Sequence, residues 1–563
     1  VTFSRSRFRL VVGLLGVWCA VVVVRLVQVQ VVESPDWAAE AARQQEQTVP
    51  LDAPRGDILS RDGRVLAGTL ERIAVYANPR KIPREKWGQL AQRLAPLVGQ
   101  PAAAVQRELA AHPGFFYLAK DLDPAVAEQV ARLDQRGVGT LRLERREYPH
   151  GSFAGPVIGF VDADGSGKAG VEAFYDRTLA GVPAVYRILR DGKRFPTLLD
   201  LTLERPGRAG LSIRLTLDTR AQYILEEELE RTREQVHAHS AVGVVMAARS
   251  GELLALASLP AYDPARVGAS PPAAWHNRAV EAVFEPGSVF KPFIVAAALS
   301  AGVLQPLELV DCSGGGVQVA GTFIRDHARY GWLPVRQVLA KSSNAGAIRI
   351  AYRVPPHQLD EILRSLGFGT PTGVELPAEA RGLYRPVEKW QAVSRAGLAI
   401  GQEVSVTPLQ IARAYAAIAN GGLLVTPRLV LETRDRAGNV VTPAHPEEPR
   451  RVLSEDVTAV LREMLAAVVE EGTGRAAAVN GVRTAGKTGT AQKAIGGSYA
   501  AGEHVAWFAG FFPLPNPQVV VVVCIDQPQS QFWAADVAAP VFGRVVARLA
   551  PLLGIRPSGG ERA

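Results

Sequence analysis

The chain has 563 residues, more than a single hydrophobic core usually organises, so two or more domains are expected. Apolar residues make up 47% and charged residues 21%, a balance that excludes a disordered chain. The formal net charge of +8 is spread along the sequence rather than gathered in Lys/Arg blocks, so no nucleic-acid surface is expected. A membrane or an anionic polymer is a compatible neighbour.

Only ten of the 63 basic residues are lysines. Arginine cannot lose its proton at biological pH, so a lysine retained against this bias can mark a place where a titratable amine is needed. The three cysteines, Cys19, Cys312 and Cys524, form no metal spacing and no disulfide framework.

In chain order, Leu10 to Val24 carries no charge, and a snorkelling Arg25 lets the apolar helix run on to Val32, about the length of one membrane span. Arg5, Arg7 and Arg9 precede it and no acidic residue comes before Glu33. The expectation is a cytoplasmic tail over 1–9, an anchor over 10–32 and everything later outside the cell membrane. A cleavable signal peptide is the rival reading, but no A-x-A site follows the run.

Residues 33–206 mix short β-type runs with helical stretches at Pro101–Ala111 and Pro124–Leu133. Ile58-Leu59 and Val65-Leu66 flank Arg61-Asp62-Gly63-Arg64, a hairpin signal. From residue 207 the character changes. LSIRLTLD alternates as a strand, Thr219–Val236 has helical spacing, and AVGVVMAARSGELLALAS reads as two strands joined at Arg249-Ser250-Gly251. Far downstream, VAWFAGFF and VVVVVCID are strands, the second apolar enough to be buried on both faces. Helices at Leu409–Ala419 and Ser454–Glu471 lie between. The pattern predicts an α/β (α+β) fold with one central antiparallel sheet closed by distant parts of the chain and flanked by helices, over residues 207–552, with a disordered tail over 553–563.

Three elements carry chemistry. In the first, Pro286-Gly287 makes a turn from which a helix can start, placing Ser288 in its first turn and Lys291 on the same face. A serine hydroxyl needs a base, and a lysine serves if burial or nearby positive charge lowers its pKa. Pro292 removes an N–H that would have bonded the Ser288 carbonyl, a cost with no return visible in the sequence. By itself this spacing also fits any surface helix.

The second is Ser342-Ser343-Asn344, where Ser342 could relay a proton and Asn344 hold a carbonyl and a lysine; helix capping explains the same residues in isolation. The third is Gly486-Lys487-Thr488-Gly489-Thr490. On an edge strand, Gly489 would let a peptide approach the backbone while Lys487 and the threonine hydroxyls bind a carboxylate. A phosphate-binding loop would need an earlier spaced glycine that is missing. Each motif occurs once, in this order, and the conjunction matches the Ser-x-x-Lys, Ser-x-Asn and Lys-Thr-Gly set of penicillin-binding proteins.

The surrounding text resembles class B high-molecular-weight penicillin-binding proteins over nearly the whole chain: APRGDILSRDGRVLA, YPHGSFAGPVIGFV with GVEAFYDRTLAG, NRAVEAVFEPGSVFKPF, LAKSSNAG, IGQEVSVTPLQIARAYAAIANGG and AGKTGTAQK. The resemblance implies a pedestal (dimerisation) domain at 33–206, a transpeptidase domain at 207–552, and a peptidoglycan D,D-transpeptidase that β-lactams acylate. It implies that Ser288 attacks a D-Ala-D-Ala bond, Lys291 is the base and Ser342 the relay. By the same resemblance, Asn344 is expected to orient substrate, Lys487 to activate electrostatically, Thr488 and Thr490 to meet the terminal carboxylate, and the N–H groups of Ser288 and Thr490 to form the oxyanion hole. Ser60, Ala247 and Glu403 depart from the usual pattern, which implies an aspartate at the first two and a small residue at the third.

A class A β-lactamase would carry a Leu-Asn pair, and none occurs. A fused glycosyltransferase would begin with Glu-Asp, found only at 455–456. By resemblance, polymerisation then comes from a SEDS-family glycosyltransferase acting on lipid-linked precursor, among other divisome membrane proteins. An inactive β-lactam receptor or scaffold is the reading from another class. Val-Thr-Pro-Leu-Gln and the short N-terminal tail favour septal synthesis; sporulation enzymes are similar, and no repeat modules stand at the C-terminus. Side-wall elongation is the remaining alternative. His237-Ala238-His239 has no third ligand nearby, and neither metal nor cofactor is expected.

Overall fold

The computed structural model describes residues 5–34, 37, 46–51, 53–190, 196–443, 447–495 and 498–555. By contact the chain divides into two units, residues 1–54 with 181–210, and residues 55–180 with 211–563.

In the first unit, α1 (Arg5–Val27) continues through a π-helical turn to Val32, giving one helix long and apolar enough to cross a membrane, with hydropathy 2.6. From Leu10 to Val24 it is apolar all round, and it buries no side chain, the pattern of a helix whose solvent is lipid. Arg25 pairs with Glu33 at 3.1 Å, which keeps both charges at one end of the apolar run. Glu46–Leu51, Ala184–Arg190 and Pro196–Arg205 form a three-stranded antiparallel sheet in the same unit.

The second unit is organised around a five-stranded antiparallel sheet. Its strands are β1 (Ser240–Ala247), β2 (Leu253–Leu259), β3 (Ala485–Ile495), β4 (Ser498–Phe512) and β5 (Val519–Asp526), in the order β2-β1-β5-β4-β3. β5 is buried throughout, as its unbroken apolar run predicts. Its even-numbered residues Val520, Val522 and Cys524 enter one core, and Val519, Val521, Val523 and Ile525 enter the other. Helices α2 (Thr219–Gln235) and α7 (Ala538–Leu552) cover the second face. On the first face lie α3 (Lys291–Ser300), α4 (Asn344–Arg353), α5 (Pro408–Ala419) and α6 (Glu455–Glu470).

The hairpin at Asp62-Gly63 forms, with Ile58 opposite Ala67 and Leu59 opposite Val65. Ile58-Leu59 also pairs in parallel with Ile213-Arg214, and Ser212–Leu215 pairs with Val430–Arg434. This shared seven-stranded sheet is why residues 55–180 cluster with 211–563. Ser60 is fully buried, and its hydroxyl donates to Asp62 and accepts from the Arg64 N–H, so it fastens the turn that an aspartate is expected to hold. The tail expected to be disordered from residue 553 stays packed as far as Ile555, which is buried in the second core; residues 556–563 lie outside the described residues.

Candidate active site

Ser288 does not sit in the first turn of an α-helix. Gly287–Phe290 is a 3-10 turn, the Lys291 N–H bonds the Ser288 carbonyl, and α3 begins at Lys291. Pro292 therefore falls in the first helical turn, where a missing N–H costs nothing, so the cost expected from it does not arise. The serine turn is pinned from several directions. Gly287 N–H donates to the Gly401 carbonyl at 3.1 Å, Trp507 Nε1 to the Glu285 carbonyl at 3.2 Å, and Tyr415 hydroxyl to the Val289 carbonyl at 2.9 Å.

Gly489 has a partner the sequence did not suggest. A Cβ on it would lie 2.7 Å from the Pro286 carbonyl oxygen and 3.0 Å from Val289. Its bare backbone thus admits the serine turn, where the sequence pointed to an approaching peptide. β3 is the edge strand, as expected, and it stands against this turn.

Lys291 is fully buried. Its Nζ donates to the Ser342 carbonyl at 2.6 Å, to Asn344 Oδ1 at 2.8 Å and to Ser342 Oγ at 3.3 Å. The amine that the Ser-x-x-Lys spacing aims at Ser288 is thus held by the second motif. Burial brings its pKa down to about 7, against the opposing charge of Asp326. Asn344 Nδ2 donates to the Arg325 carbonyl at 2.8 Å, which fixes the amide with its oxygen toward Lys291. Ser342 is held at φ +59°, a left-handed conformation that a side chain disfavours. Ser343, between them, caps α4 by accepting from the Gly346 N–H at 3.0 Å. Capping and chemistry are thus divided among neighbouring residues of one motif.

Lys487 is also fully buried, and burial together with the charge of Lys291 pushes its pKa well down. Its Nζ donates to the Thr488 carbonyl at 3.1 Å. The Thr488 hydroxyl shares a 2.6 Å hydrogen bond with that of Thr473, and the Thr490 hydroxyl accepts from the Ala534 N–H at 3.0 Å.

Two contributors escaped sequence reasoning. Thr473 bonds Thr488, and its N–H donates to the Ala340 carbonyl just before Ser342, tying the second motif to the third. Asp326 accepts from the N–H groups of Asn344 and Ala345 and from the Ser343 hydroxyl. Neither sits at a periodic or motif position; an acid near a helix start is the one signal, and Asp326 lies too far ahead of α4 in sequence to read as its cap.

Fold and motif geometry together define a serine-type transpeptidase architecture built on an antiparallel sheet. Residues 241–547 match the penicillin binding protein transpeptidase domain, and residues 50–207 the penicillin-binding protein dimerisation domain. A probable peptidoglycan D,D-transpeptidase PenA of Neisseria gonorrhoeae is 33% identical, over 99% of this chain and 94% of its own length. Peptidoglycan D,D-transpeptidase FtsI of Escherichia coli is 31% identical, over 99% and 93%. Stage V sporulation protein D of Bacillus subtilis is 32% identical, over 95% and 83%. The crystal structure of penicillin binding protein 3 from Mycobacterium tuberculosis with aztreonam superposes with a TM-score of 0.71 at 29% identity, covering 91% of this chain and 98% of that one. The chain belongs to the penicillin-binding protein transpeptidase family, in the class B form that carries a dimerisation domain.

Proposed function

We propose that this chain cross-links peptidoglycan stem peptides through an acyl-enzyme on Ser288. The observation that carries the reading is the buried Lys291 amine, held by Ser342 and Asn344 and tuned to titrate near neutrality. A neutral Lys291 takes the Ser288 proton as Oγ attacks the penultimate D-Ala carbonyl, and the N–H groups of Ser288 and Thr490 receive the oxyanion. The proton returns through Ser342 to the departing amine, D-alanine leaves, and an ester remains. The amine of a second stem attacks that ester, passes its proton back by the same route, and frees Ser288.

Among the described residues no acidic side chain pairs with Lys487, so a substrate's terminal carboxylate supplies the missing countercharge, with Thr488 and Thr490 as donors once their internal partners yield. β-Lactams acylate the same serine by opening their ring amide, a reading supported by the aztreonam complex of the related protein. Residues 33–206 serve as pedestal and 207–552 as transpeptidase domain. The helix over 10–32 anchors the chain in the cell membrane, with residues 1–9 cytoplasmic and the catalytic domain outside. Glycan polymerisation comes from a SEDS-family partner. Septal synthesis is the pathway we favour, on Val-Thr-Pro-Leu-Gln at 406–410.

Covalent labelling by a fluorescent penicillin tests the mechanism: the wild-type chain labels and Ser288→Ala does not. Equal labelling of the two would remove Ser288 from the reaction. Depletion in the native cell tests the pathway, with filaments expected for a septal role, rounding for elongation and failed spores for sporulation.

A further inference from the structure

The serine turn is held ahead of the nucleophile by the Gly401 carbonyl and the Trp507 indole, and behind it by one buried hydroxyl. Gly287–Phe290 keeps a 3-10 register, in which the Ser288 carbonyl accepts from the Lys291 N–H. By the same register the Val289 carbonyl would accept from residue 292, and Pro292 has no N–H to give. The Tyr415 hydroxyl stands in that place, donating to the Val289 carbonyl at 2.9 Å. Val289 is fully buried, where a carbonyl without a donor is costly, so the proline gap and the tyrosine belong together.

The direction of that bond is fixed by what surrounds the ring. Tyr415 is fully buried on α5, and the other side chains that α5 buries after Gln410 are apolar. The helix starts from a capping box formed by Thr407 and Gln410 and lies on β1, β4 and β5 of the central sheet. The Tyr415 ring meets Phe293 edge-on with centroids 5.4 Å apart, and Phe293 meets Phe290 edge-on at 5.4 Å. Ring and hydroxyl together tie the sheet to the segment that carries Ser288 and Lys291. Burial pushes the hydroxyl's pKa well up, so it stays protonated and donating.

The contact between the turn and β3, by contrast, is steric. A Cβ on Gly489 would lie 3.0 Å from the Val289 nitrogen, and one on Gly287 would lie 3.3 Å from the Thr490 carbonyl oxygen. Such contacts limit how near the turn comes to β3 but cannot hold it there. A directional bond can.

We propose that Tyr415 is a positioning residue for acylation: its hydroxyl holds the Val289 peptide, and through it keeps the Ser288 N–H aligned with the Thr490 N–H to receive the oxyanion. This rests on Ser288 being acylated through a hole formed by those two groups. Removing the hydroxyl leaves the bonds of Lys291 to Ser342 and Asn344 in place, and leaves Lys487 untouched. The base and the non-covalent binding of penicillin therefore survive. What loosens is the alignment of the oxyanion donors, which matters only once charge develops on the attacked carbonyl. A residue that served packing alone would lower the melting temperature and leave the chemistry of the folded protein unchanged.

The test uses the full chain in detergent as wild type, Ser288→Ala and Tyr415→Phe, the last of which removes the hydroxyl and keeps the ring. Saturation kinetics with a fluorescent penicillin separate the dissociation constant of the non-covalent complex from the acylation rate constant. Affinity for phenylboronic acid reports on the hole itself. Ser288 Oγ shares a lone pair with boron, its proton passes to Lys291, and the tetrahedral anion places an oxygen where the oxyanion would sit. Tyr415→Phe should acylate on the order of 10-fold more slowly, less than the loss of about 10^2- to 10^3-fold from deleting an oxyanion donor outright. Its dissociation constant should stay within about twofold of wild type, and its boronate affinity should fall in proportion to the rate constant. An acylation rate constant equal to wild type, or a slower one with boronate affinity unchanged, overturns the proposal. If Tyr415→Phe does not fold, Phe293→Leu, which removes the ring that seats Tyr415, takes its place: slower acylation with weaker boronate binding supports the proposal, and wild-type values for both overturn it. Wild type and Ser288→Ala labelling alike would instead overturn the serine mechanism itself, so the two failures are distinguishable.

Discussion

Two clusters of buried charge lie in the larger unit, and they are built in opposite ways. In the first, Glu172 is fully buried between two arginines, Arg55 at 2.6 Å and Arg146 at 2.7 Å, with Tyr148 donating at 3.3 Å. Arg55 also reaches Asp176 at 2.8 Å. In the second, Lys291 and Lys487 are fully buried with no acidic side chain within salt-bridge reach among the described residues. The first cluster answers each charge with a partner, the arrangement that makes buried ions tolerable. The second leaves two amines to be answered by carbonyls and hydroxyls, and their pKa values fall in consequence. Paired burial fixes a structure, whereas unpaired burial leaves amines of lowered pKa, the property that the proposed base and carboxylate receptor require.

The largest effect follows from abolishing the unpaired amine. Lys291→Met keeps the volume and removes the titrating group, so acylation by penicillin should fall on the order of 10^3-fold or more, while thermal stability holds or rises. A loss of rate accompanied by a lower melting temperature would mean that Lys291 is held for structure. The converse substitution tests the paired cluster. Glu172→Gln leaves Arg55 and Arg146 facing one another without their anion, at a cost of about 3–5 kcal/mol in unfolding free energy. The folded fraction should still acylate at close to the wild-type rate. A near-neutral Glu172→Gln would show that water, rather than the ion triad, carries that site.

The third effect is in pH. In the proposed mechanism acylation requires neutral Lys291, whose value in the fold, about 7, lies below the ordinary lysine range. The rate should therefore rise through about pH 7 and level above it. Below that value the protonated amine cannot accept the serine proton. Binding of a carboxylate-bearing ligand should act on Lys487 in the other direction, since an arriving anion favours the ammonium. Proton uptake on binding to Ser288→Ala, measured by calorimetry in buffers of different ionisation heat, is the expected sign; binding with no net proton exchange would mean that Lys487 is already charged in the free site.

Much of this was legible in the sequence wherever a local rule governs the outcome. The alternation and apolarity of residues 505–512 and 519–526 gave the central strands, and Asp62-Gly63 gave the hairpin. The order of the three motifs brought Ser288, Lys291, Ser342, Asn344 and Lys487 under suspicion together. What was not legible is which groups meet when strands and loops from distant segments pack. That the bare backbone of Gly489 admits the serine turn is seen only once the two segments are packed together. Asp326 and Thr473 lie in aperiodic stretches, and their partners lie on other elements. The sheet that joins Ile58-Leu59 to Ile213-Arg214 is a parallel pairing between segments far apart in the chain, which no local pattern encodes.

Glu403 supplies the smallest effect and a third kind of charge, neither buried in a triad nor left alone. The resemblance implies a small residue at this position; the carboxylate that stands there accepts from the Ser394 hydroxyl at 2.7 Å and from Arg385 at 3.4 Å, and its N–H donates to Glu285 at 3.2 Å. The Arg385 contact is half-exposed and contributes little. Glu403 also stands at φ +59°, where glycine is more comfortable by about 1–2 kcal/mol. Glu403→Gly thus gains backbone ease and loses the bond to buried Ser394, worth about 1.5–3 kcal/mol. The net should be a loss of about 1 kcal/mol in stability, since the two terms nearly cancel. The backbone bond to Glu285, just ahead of the serine turn, survives the change, so acylation should alter by less than about threefold, equivalent to well under 1 kcal/mol. A larger fall in rate at unchanged stability would mean that the carboxylate reaches the substrate after all, and would place Glu403 with the lysines rather than with Glu172.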